Sequence, residues 1–410
     1  MQVSSDFPFH LTYCTNIHPG ESWTAVLANL QRYLPPLKAQ LSSQTPFGIG
    51  LRLANLASHE LLAREYLLRQ FQSWLQQEDL YVFTLNGFPY GDFHQGAIKD
   101  RVYGPDWTDA ERVDYTLRLI DILAQLLPPE LNGSISTVPL SYKPWWREDP
   151  AAWEAMLRQS SLHLAECVGH LLDIQQKTGK TIHLALEPEP DGAIENTAEA
   201  IAFFNDWLFP VGGIYLKEQL GLSSTAAETA LRTYVRLCYD TCHFAVAYED
   251  PNLVFDQLQA AGIQIGKIQL SAALRFPIPA AVADRQHLVE RLRPFAESTY
   301  LHQVITQQSN GELFHFPDLG DALPHLPETT AREWRTHFHV PIFIEDYQGL
   351  QSTQADITTV LERLQTDPIC PHLEIETYTW EVLPAGMKVD LLASIQREYE
   401  WVLSMINPKH

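Results

Sequence analysis

Two short stretches carry side chains whose types and spacing suit chemistry: Leu186-Glu187-Pro-Glu189-Pro and Cys238-Tyr-Asp240-Thr-Cys-His243. Each is an apolar, strand-like run that stops on a carboxylate. Where parallel strands close into a barrel, reacting groups gather at the C-terminal strand ends. An Asp and a His three residues apart, just past a strand end, turn toward one point. That arrangement suits a divalent cation or the hydroxyls of a polyol. Two further runs resemble them: Lys267-Ile-Gln269-Leu-Ser271 and Leu373-Glu-Ile-Glu376-Thr. Glu187, Asp240, Gln269 and Glu376 together offer three carboxylates and an amide oxygen, and hard cations such as Mg²⁺ or Mn²⁺ want several oxygen ligands. Taken singly, an acid in such a place also serves as a helix cap or an arginine partner. Four of them at successive strand ends are harder to explain that way.

The elements that must position these groups alternate along the chain. Strand-like runs are Phe9–Cys14, Gly48–Leu53, Tyr81–Asn86, Ser134–Leu140, Ile182–Glu187, Val235–Asp240, Lys267–Ser271 and Leu373–Thr377. Between them the periodicity predicts helices at Ser22–Leu41, Glu60–Gln77, Asp109–Leu127, Pro150–Thr178, Thr197–Leu208, Asn252–Ala261 and Met387–Met405. Eight such repeats predict the α/β class and a (β/α)8 TIM barrel, formed as one domain over residues 1–410. Side chains alternate across a strand. Ile182, Leu184 and Leu186 therefore face the helices while His183 and Glu187 face the lumen. Lys267, Gln269, Ser271, Glu374 and Glu376 point inward by the same rule. A purely structural barrel fills its interior with branched aliphatics, so a polar lumen signals function. One stretch breaks the pattern. An insertion of approximately residues 276–368 follows the seventh strand and is longer than one βα unit needs. Within it, Tyr300–Thr306 and Gly311–Phe316 flank a turn and read as a hairpin over the barrel mouth. Phe338–Glu345 rivals Leu373–Thr377 as the closing strand; the latter is preferred because the last helix follows it directly.

Composition excludes several classes. The 410 residues are 45% hydrophobic and 19% charged, with 28 basic against 50 acidic residues. A formal charge of −22 repels phosphate backbones, so no nucleic-acid partner is expected. The N-terminus lacks the features of a secretory signal, no apolar run is long enough to span a bilayer, and five cysteines form no disulfide framework. A reduced, cytoplasmic protein without membrane insertion is expected.

At the level of motifs the chain resembles the xylose isomerase-like barrel superfamily of sugar isomerases, ketose epimerases and endonuclease IV. Asp240-Thr-Cys-His243 is similar to the Asp-Thr-Cys-His motif of the endonuclease branch, and Leu373-Glu-Ile-Glu376-Thr to that branch's terminal glutamate strand. Glu187-Pro-Glu189-Pro is similar to the superfamily's fifth-strand glutamate. Ketose epimerases carry a metal-binding His on the seventh strand and a substrate-binding Arg six residues later; Gln269 and Arg275 hold those places here. The chain as a whole resembles the metabolite-traffic protein EboE family. That likeness is carried by Thr84-Leu-Asn86-Gly-Phe-Pro-Tyr-Gly-Asp-Phe-His94, Val102-Tyr-Gly-Pro-Asp-Trp107, Tyr300-Leu-His-Gln303, Thr336-His-Phe-His-Val-Pro341 and Leu373–Trp380.

The resemblance implies a bound divalent metal (Mn, Mg or Zn) on Glu187, Asp240, Gln269 and Glu376, with Glu187 and Glu376 as base and acid. Gln269 is a poorer ligand than His, since its oxygen is neutral and its other face is a donor. His243, Arg275, His337 and His339 are then substrate contacts, as is Asn86 after the third strand. Arg52 and Lys143 suit a phosphate or, equally, an ion pair with an interior acid. His10 reads as a satisfied core histidine, and Trp145, Trp146 and Trp380 as rim closure. The implied activity is isomerase- or epimerase-like proton transfer on a small polyhydroxylated metabolite, possible pathway proteins being its partners. Two alternatives remain open: a non-catalytic metabolite carrier or scaffold, which Gln269 favours, and a metal-dependent phosphoester hydrolase.

Overall fold

The computed structural model describes residues 1–3, 9–91, 98–347, 349–381, 383 and 390–406. Eight parallel strands surround one axis: β1 (His10–Tyr13), β2 (Phe47–Arg52), β3 (Leu80–Asn86), β4 (Gly133–Thr137), β5 (Ile182–Leu186), β6 (Val235–Asp240), β7 (Ile265–Leu270) and, after the insertion, β14 (His372–Ile375). They pair in the order β1-β14-β7-β6-β5-β4-β3-β2. The circle is completed between β2 and β1 by one isolated parallel bridge, Cys14 to Gly50. Side chains replace the missing ladder there. The Gly50 amide donates to Thr12 Oγ1 at 2.7 Å, the Thr12 hydroxyl to Gly48 O at 3.1 Å, and the Arg52 amide to Thr15 Oγ1 at 2.8 Å. The result is a nearly closed (β/α)8 barrel.

The run at Leu373–Thr377 does close it, since β14 pairs with both β1 and β7. Its rival contributes only its first residues, to a strand of a second sheet. Leu184, Leu186, Leu237, Tyr239, Ile268, Leu270 and Leu373 are fully buried among the helices, as strand alternation requires.

The inward set divides in two. At the lower end, His183 Nε2 bonds Gly266 O at 2.9 Å and stacks on His372, whose Nδ1 meets Ser134 Oγ at 2.8 Å. His10 is held by the Tyr81 hydroxyl at 2.8 Å. Above them Lys267 Nζ lies 2.5 Å from Glu374 Oε2, both side chains wholly buried. Gly50 makes room for this pair: a Cβ there would stand 1.9 Å from Glu374 Oε1. The polar groups above this pair face the functional end.

Two helices depart from their sequence pattern. Glu60–Gln77 is divided into Asn55–Ala63 and Glu65–Gln77, because Arg64 takes φ −132° and ψ 81°, outside the helical region. Thr197–Leu208 is α-helical only through Phe203 and continues as a π-helix, Phe204–Gly212, around Pro210. The ring lacks an amide hydrogen for the usual bond. The last helix runs Leu391–Ile406; residues 387–389 lie outside the described residues. No described helix is long and apolar enough to cross a membrane.

The insertion builds a second, antiparallel sheet from β8 (Ala272–Pro277), β9 (Val304–Gln307), β10 (Leu313–Phe316), β11 (Glu333–Val340), β12 (Asp346–Tyr347) and β13 (Leu350–Ser352), ordered β10-β9-β11-β8-β13-β12. It starts a few residues earlier than the pattern breaks, for only Ser271 separates β7 from β8. The second sheet is therefore continuous with the C-terminal end of a barrel strand. β9 and β10 form the hairpin, with Gly311 at φ +88° in its turn. In β11 the register against β8 slips between Thr336 and His339, a bulge at two histidines.

Candidate metal centre

Strand ends β5, β6 and β14 deliver three carboxylates. Glu187, Asp240 and Glu376 each place one oxygen so that all three atoms lie within 4.8 Å of one another. Asp240 is fixed as the cap of the short helix Thr241–Val246. Its Oδ1 accepts from the Cys242 amide (2.8 Å), the His243 amide (3.1 Å) and the Ser271 hydroxyl (2.6 Å). Its Oδ2 is buried with no hydrogen-bond partner, as are Glu187 Oε2 and Glu189 Oε1. Glu376 is held on both sides: Oε1 accepts from Asn16 (2.7 Å) and Asn86 (3.1 Å), and Oε2 from Gln269 (2.5 Å).

Three histidines complete the cluster. His243 and His339 each bring a nitrogen within 4.8 Å of an Asp240 oxygen, and Glu189, His243 and His337 form a further group of the same size. Every ring is anchored through Nδ1: His243 on Pro188 O (3.0 Å), His337 on Gln303 Oε1 (2.9 Å), His339 on Glu376 O (2.7 Å). A carbonyl only accepts, so Nδ1 carries the hydrogen and Nε2 keeps its lone pair. Burial lowers all three below the usual imidazole range, His339 to about 4. They are neutral near pH 7. Neutral imidazole with Nδ1–H on a carbonyl is the arrangement of a metal-ligating histidine.

The acids are out of balance as they stand. Burial, with the charges of Asp240 and Glu189 nearby, pushes Glu187 well above the carboxylate range. Burial, with Glu187 and Asp240, does the same to Glu376, and burial lifts Glu189 to about 8. Burial also opposes the Asp240 charge, but in the acid range where it would titrate, the protonated forms of His243 and His339, with the hydrogen bonds from Ser271 and the His243 amide, hold it below its ordinary value. A divalent cation would relieve this crowding and engage Asp240 Oδ2 and His339 Nε2, buried atoms that lack partners; Glu187 Oε2, Glu189 Oε1 and His337 Nε2 also lack partners, and these three residues line the pocket above. The donor set fits such an ion. Imidazole and carboxylate together suit zinc or manganese better than magnesium.

Several residues singled out from the sequence have other parts. Gln269 does not present an oxygen to the cluster: its Oε1 accepts from the Cys238 thiol, and its Nε2 donates to Glu376. Asn86 lines the pocket, but its amide holds Glu376 and the Phe88 backbone amide. The three cations are drawn off into ion pairs, Arg52 with Glu21 (3.0 Å), Lys143 with Glu195 and Glu199 (3.1 and 2.8 Å), and Arg275 with Glu333 (3.2 Å). None of them lines the pocket above the acids. The Trp145 and Trp146 indoles donate to Asp100 and Ser141, and buried Trp380 does not line that pocket either. His94 lies outside the described residues.

The site also contains groups that their sequence context does not mark. Glu189 stands in the Pro-Glu-Pro motif two residues from Glu187, on the same face of an extended chain. Tyr103 and Gln303 lie in stretches already quoted for the EboE likeness; both donate to Pro190 O, at 3.3 and 3.0 Å. The pocket above the acids encloses about 580 Å³, including its part open to solvent. Phe88, Ile98, Val102, Tyr103, Tyr300 and Tyr378 are among its walls.

No family model matches the chain, and no curated protein matches it. Solved structures do. The chain is similar to an IolI protein with a bound zinc atom (14% identity, 98% of this chain and 100% of that chain, TM-score 0.48). It is similar to a xylose isomerase-like TIM barrel protein from Mycobacterium smegmatis in complex with magnesium (12%, 99% and 98%, 0.49). A third likeness is to AsbF, the probable 3-DHS dehydratase of petrobactin synthesis in Bacillus anthracis (12%, 98% and 100%, 0.45). At such identities and scores the reaction has to be argued from the site itself.

Proposed function

We propose that this protein is a divalent-metal-dependent enzyme of the sugar or cyclitol isomerase and epimerase kind, acting by proton transfer on a small molecule with adjacent oxygens. The observation that carries the reading is the convergence of Glu187, Asp240 and Glu376 with three imidazoles, each holding Nε2 free of hydrogen. Glu187, Asp240, Glu376, His243 and His339 would hold the ion. When bound, it would polarise a carbonyl and acidify the neighbouring C–H or O–H. The chain's own groups do the rest. Glu187 Oε2 takes and returns the proton, since no hydrogen bond occupies it. Glu376, oriented by Asn16, Asn86 and Gln269, is the second proton carrier. Glu189 and His337 reach the pocket from either side and hold hydroxyls. A place in metabolite traffic, as in the EboE family, is part of this proposal and rests on the quoted sequence motifs alone.

Metal analysis tests it first. The purified protein should carry zinc or manganese, and Asp240→Asn should lower the content at least fivefold while circular dichroism is unchanged. Equal metal content in both proteins would reject the reading. Substrate incubated in deuterated water should then gain deuterium at one carbon, and Glu187→Gln should abolish that exchange. Ligand capture without exchange would favour the carrier. One observation supports a second reading, phosphoester hydrolysis: the donors form overlapping groups, enough for two neighbouring ions. Hydrolysis of a generic phosphodiester, lost with His337→Ala or His339→Ala, would favour that alternative.

A further inference from the structure

We infer that the substrate carries its chelating oxygens on a flat, apolar body and bears no phosphate; this deepens the reading above and rests on it. The floor of the pocket is polar, and its walls are hydrocarbon and aromatic ring. Ile98 and Tyr300, with Val102 and Tyr378 packed on them, form a small apolar cluster apart from the main core. Tyr300 and Tyr378 meet edge to face, centroids 5.1 Å apart, and Phe88 leans on Tyr103 at 5.8 Å. Rings in such pairs present flat faces and edges, which favours a flat partner.

The polar groups among these walls are already engaged. Gln303 holds His337 with its oxygen and Pro190 O with its nitrogen. Asn86 is taken by Glu376 and the Phe88 amide, and the Tyr103 hydroxyl donates to Pro190 O. Lys99, the one Lys or Arg among the described lining residues, is paired with Asp318. The amides at the start of the Thr241–Val246 helix are capped by Asp240. Among the described residues a sugar phosphate would meet acids and, apart from the ion on which the reading above rests, no side-chain cation that is not already paired. A free sugar finds acceptors only at the floor, where Glu187, Glu189 and His337 stand; hydroxyls reaching the walls would be buried against hydrocarbon and ring, which binding sites penalise. An oxygen-bearing head on an aryl body meets neither objection.

Calorimetric titration of the full chain, with and without zinc, separates the possibilities using phenyl glucoside, methyl glucoside and glucose 6-phosphate as probes. Phenyl glucoside should bind at least tenfold tighter than methyl glucoside, and glucose 6-phosphate no tighter than methyl glucoside. Leu301→Asn and Val102→Thr, at partly exposed wall positions, should each shrink the phenyl preference severalfold and leave zinc content unchanged. Equal affinities for the two glucosides, a preference for the phosphate, or no binding of phenyl glucoside overturns this inference. Failure to retain zinc overturns the metal reading instead, whatever the glucosides do.

Discussion

Gln269 sits among carboxylates yet faces them with its donor end, so its contribution is to aim Glu376 rather than to ligate. Gln269→Leu should therefore weaken metal binding about 10–100-fold, as losses in such supporting hydrogen bonds do, with the number of ions bound unchanged. Chelator competition measures the affinity and elemental analysis the stoichiometry; a lost ion would make Gln269 a ligand after all. Glu187, Asp240 and Glu376 were legible in the sequence because each ends or follows a strand whose alternation fixes the inward face. His337 and His339 were legible as contacts from the insertion. Their approach to Asp240 and Glu189 was not, since it depends on a bulge in β11 and on two distant anchors, the Gln303 side chain for His337 and the Glu376 carbonyl for His339. The partners of Arg52, Lys143 and Arg275 were equally hidden. A cation's destination is set by whichever acid the fold brings near, and Glu21, Glu199 and Glu333 carry no sequence mark of that role.

The loop before β9 shows how an element is braced for the site. The Glu297 carboxylate accepts from the amides of Thr299 (2.6 Å) and Tyr300 (3.0 Å) and from His302 Nε2 (2.8 Å), while His302 Nδ1 reaches His337 O at 3.0 Å. One acid thus ties a pocket wall to the backbone of a histidine in the cluster. Burial opposes the Glu297 charge, but the hydrogen bonds from His302 and the two amides hold its pKa down at about 2, against an ordinary 4.5. A carboxylate depressed on folding stabilises fully above its unfolded pKa and loses that contribution as pH falls through the folded one. Between pH 5 and pH 2 the protein should lose on the order of 1–2 kcal/mol from this group. Glu297→Gln should cost a similar amount at pH 7 and flatten that part of the profile, read by urea unfolding across the pH range. Of the insertion, the hairpin and the end of β11, within Phe338–Glu345, were legible beforehand. β12 and β13 are two and three residues long, too short for a period to register, and β8 follows β7 with no turn signal between them.

At the scale of the whole molecule, the barrel was legible because eight alternating runs recur with helices between them. The meaning of its polar lumen was legible only in part. Every inward polar residue reads alike in sequence, yet Lys267, Glu374, His183 and His372 fill the lower barrel while Glu187, Asp240 and Glu376 face the pocket. The wholly buried Lys267–Glu374 pair is the test of that division. Lys267→Met should destabilise by about 3–5 kcal/mol, because it strands a buried carboxylate. Adding Glu374→Gln should recover much of the loss, measured by urea unfolding, with metal content kept in the double variant. One consequence follows from the hydroxyl-stitched joint between β1 and β2. A barrel that breathes will uncurl there first, and the arc β5-β6-β7-β14 that bears the acids can stay whole while it does. Yet Asn16, just past β1, and Asn86, at the end of β3, both grip the same Glu376 oxygen from opposite sides of that gap. The acid is thereby also the clasp of the cylinder, tying both sides of the open seam to the arc that bears the site.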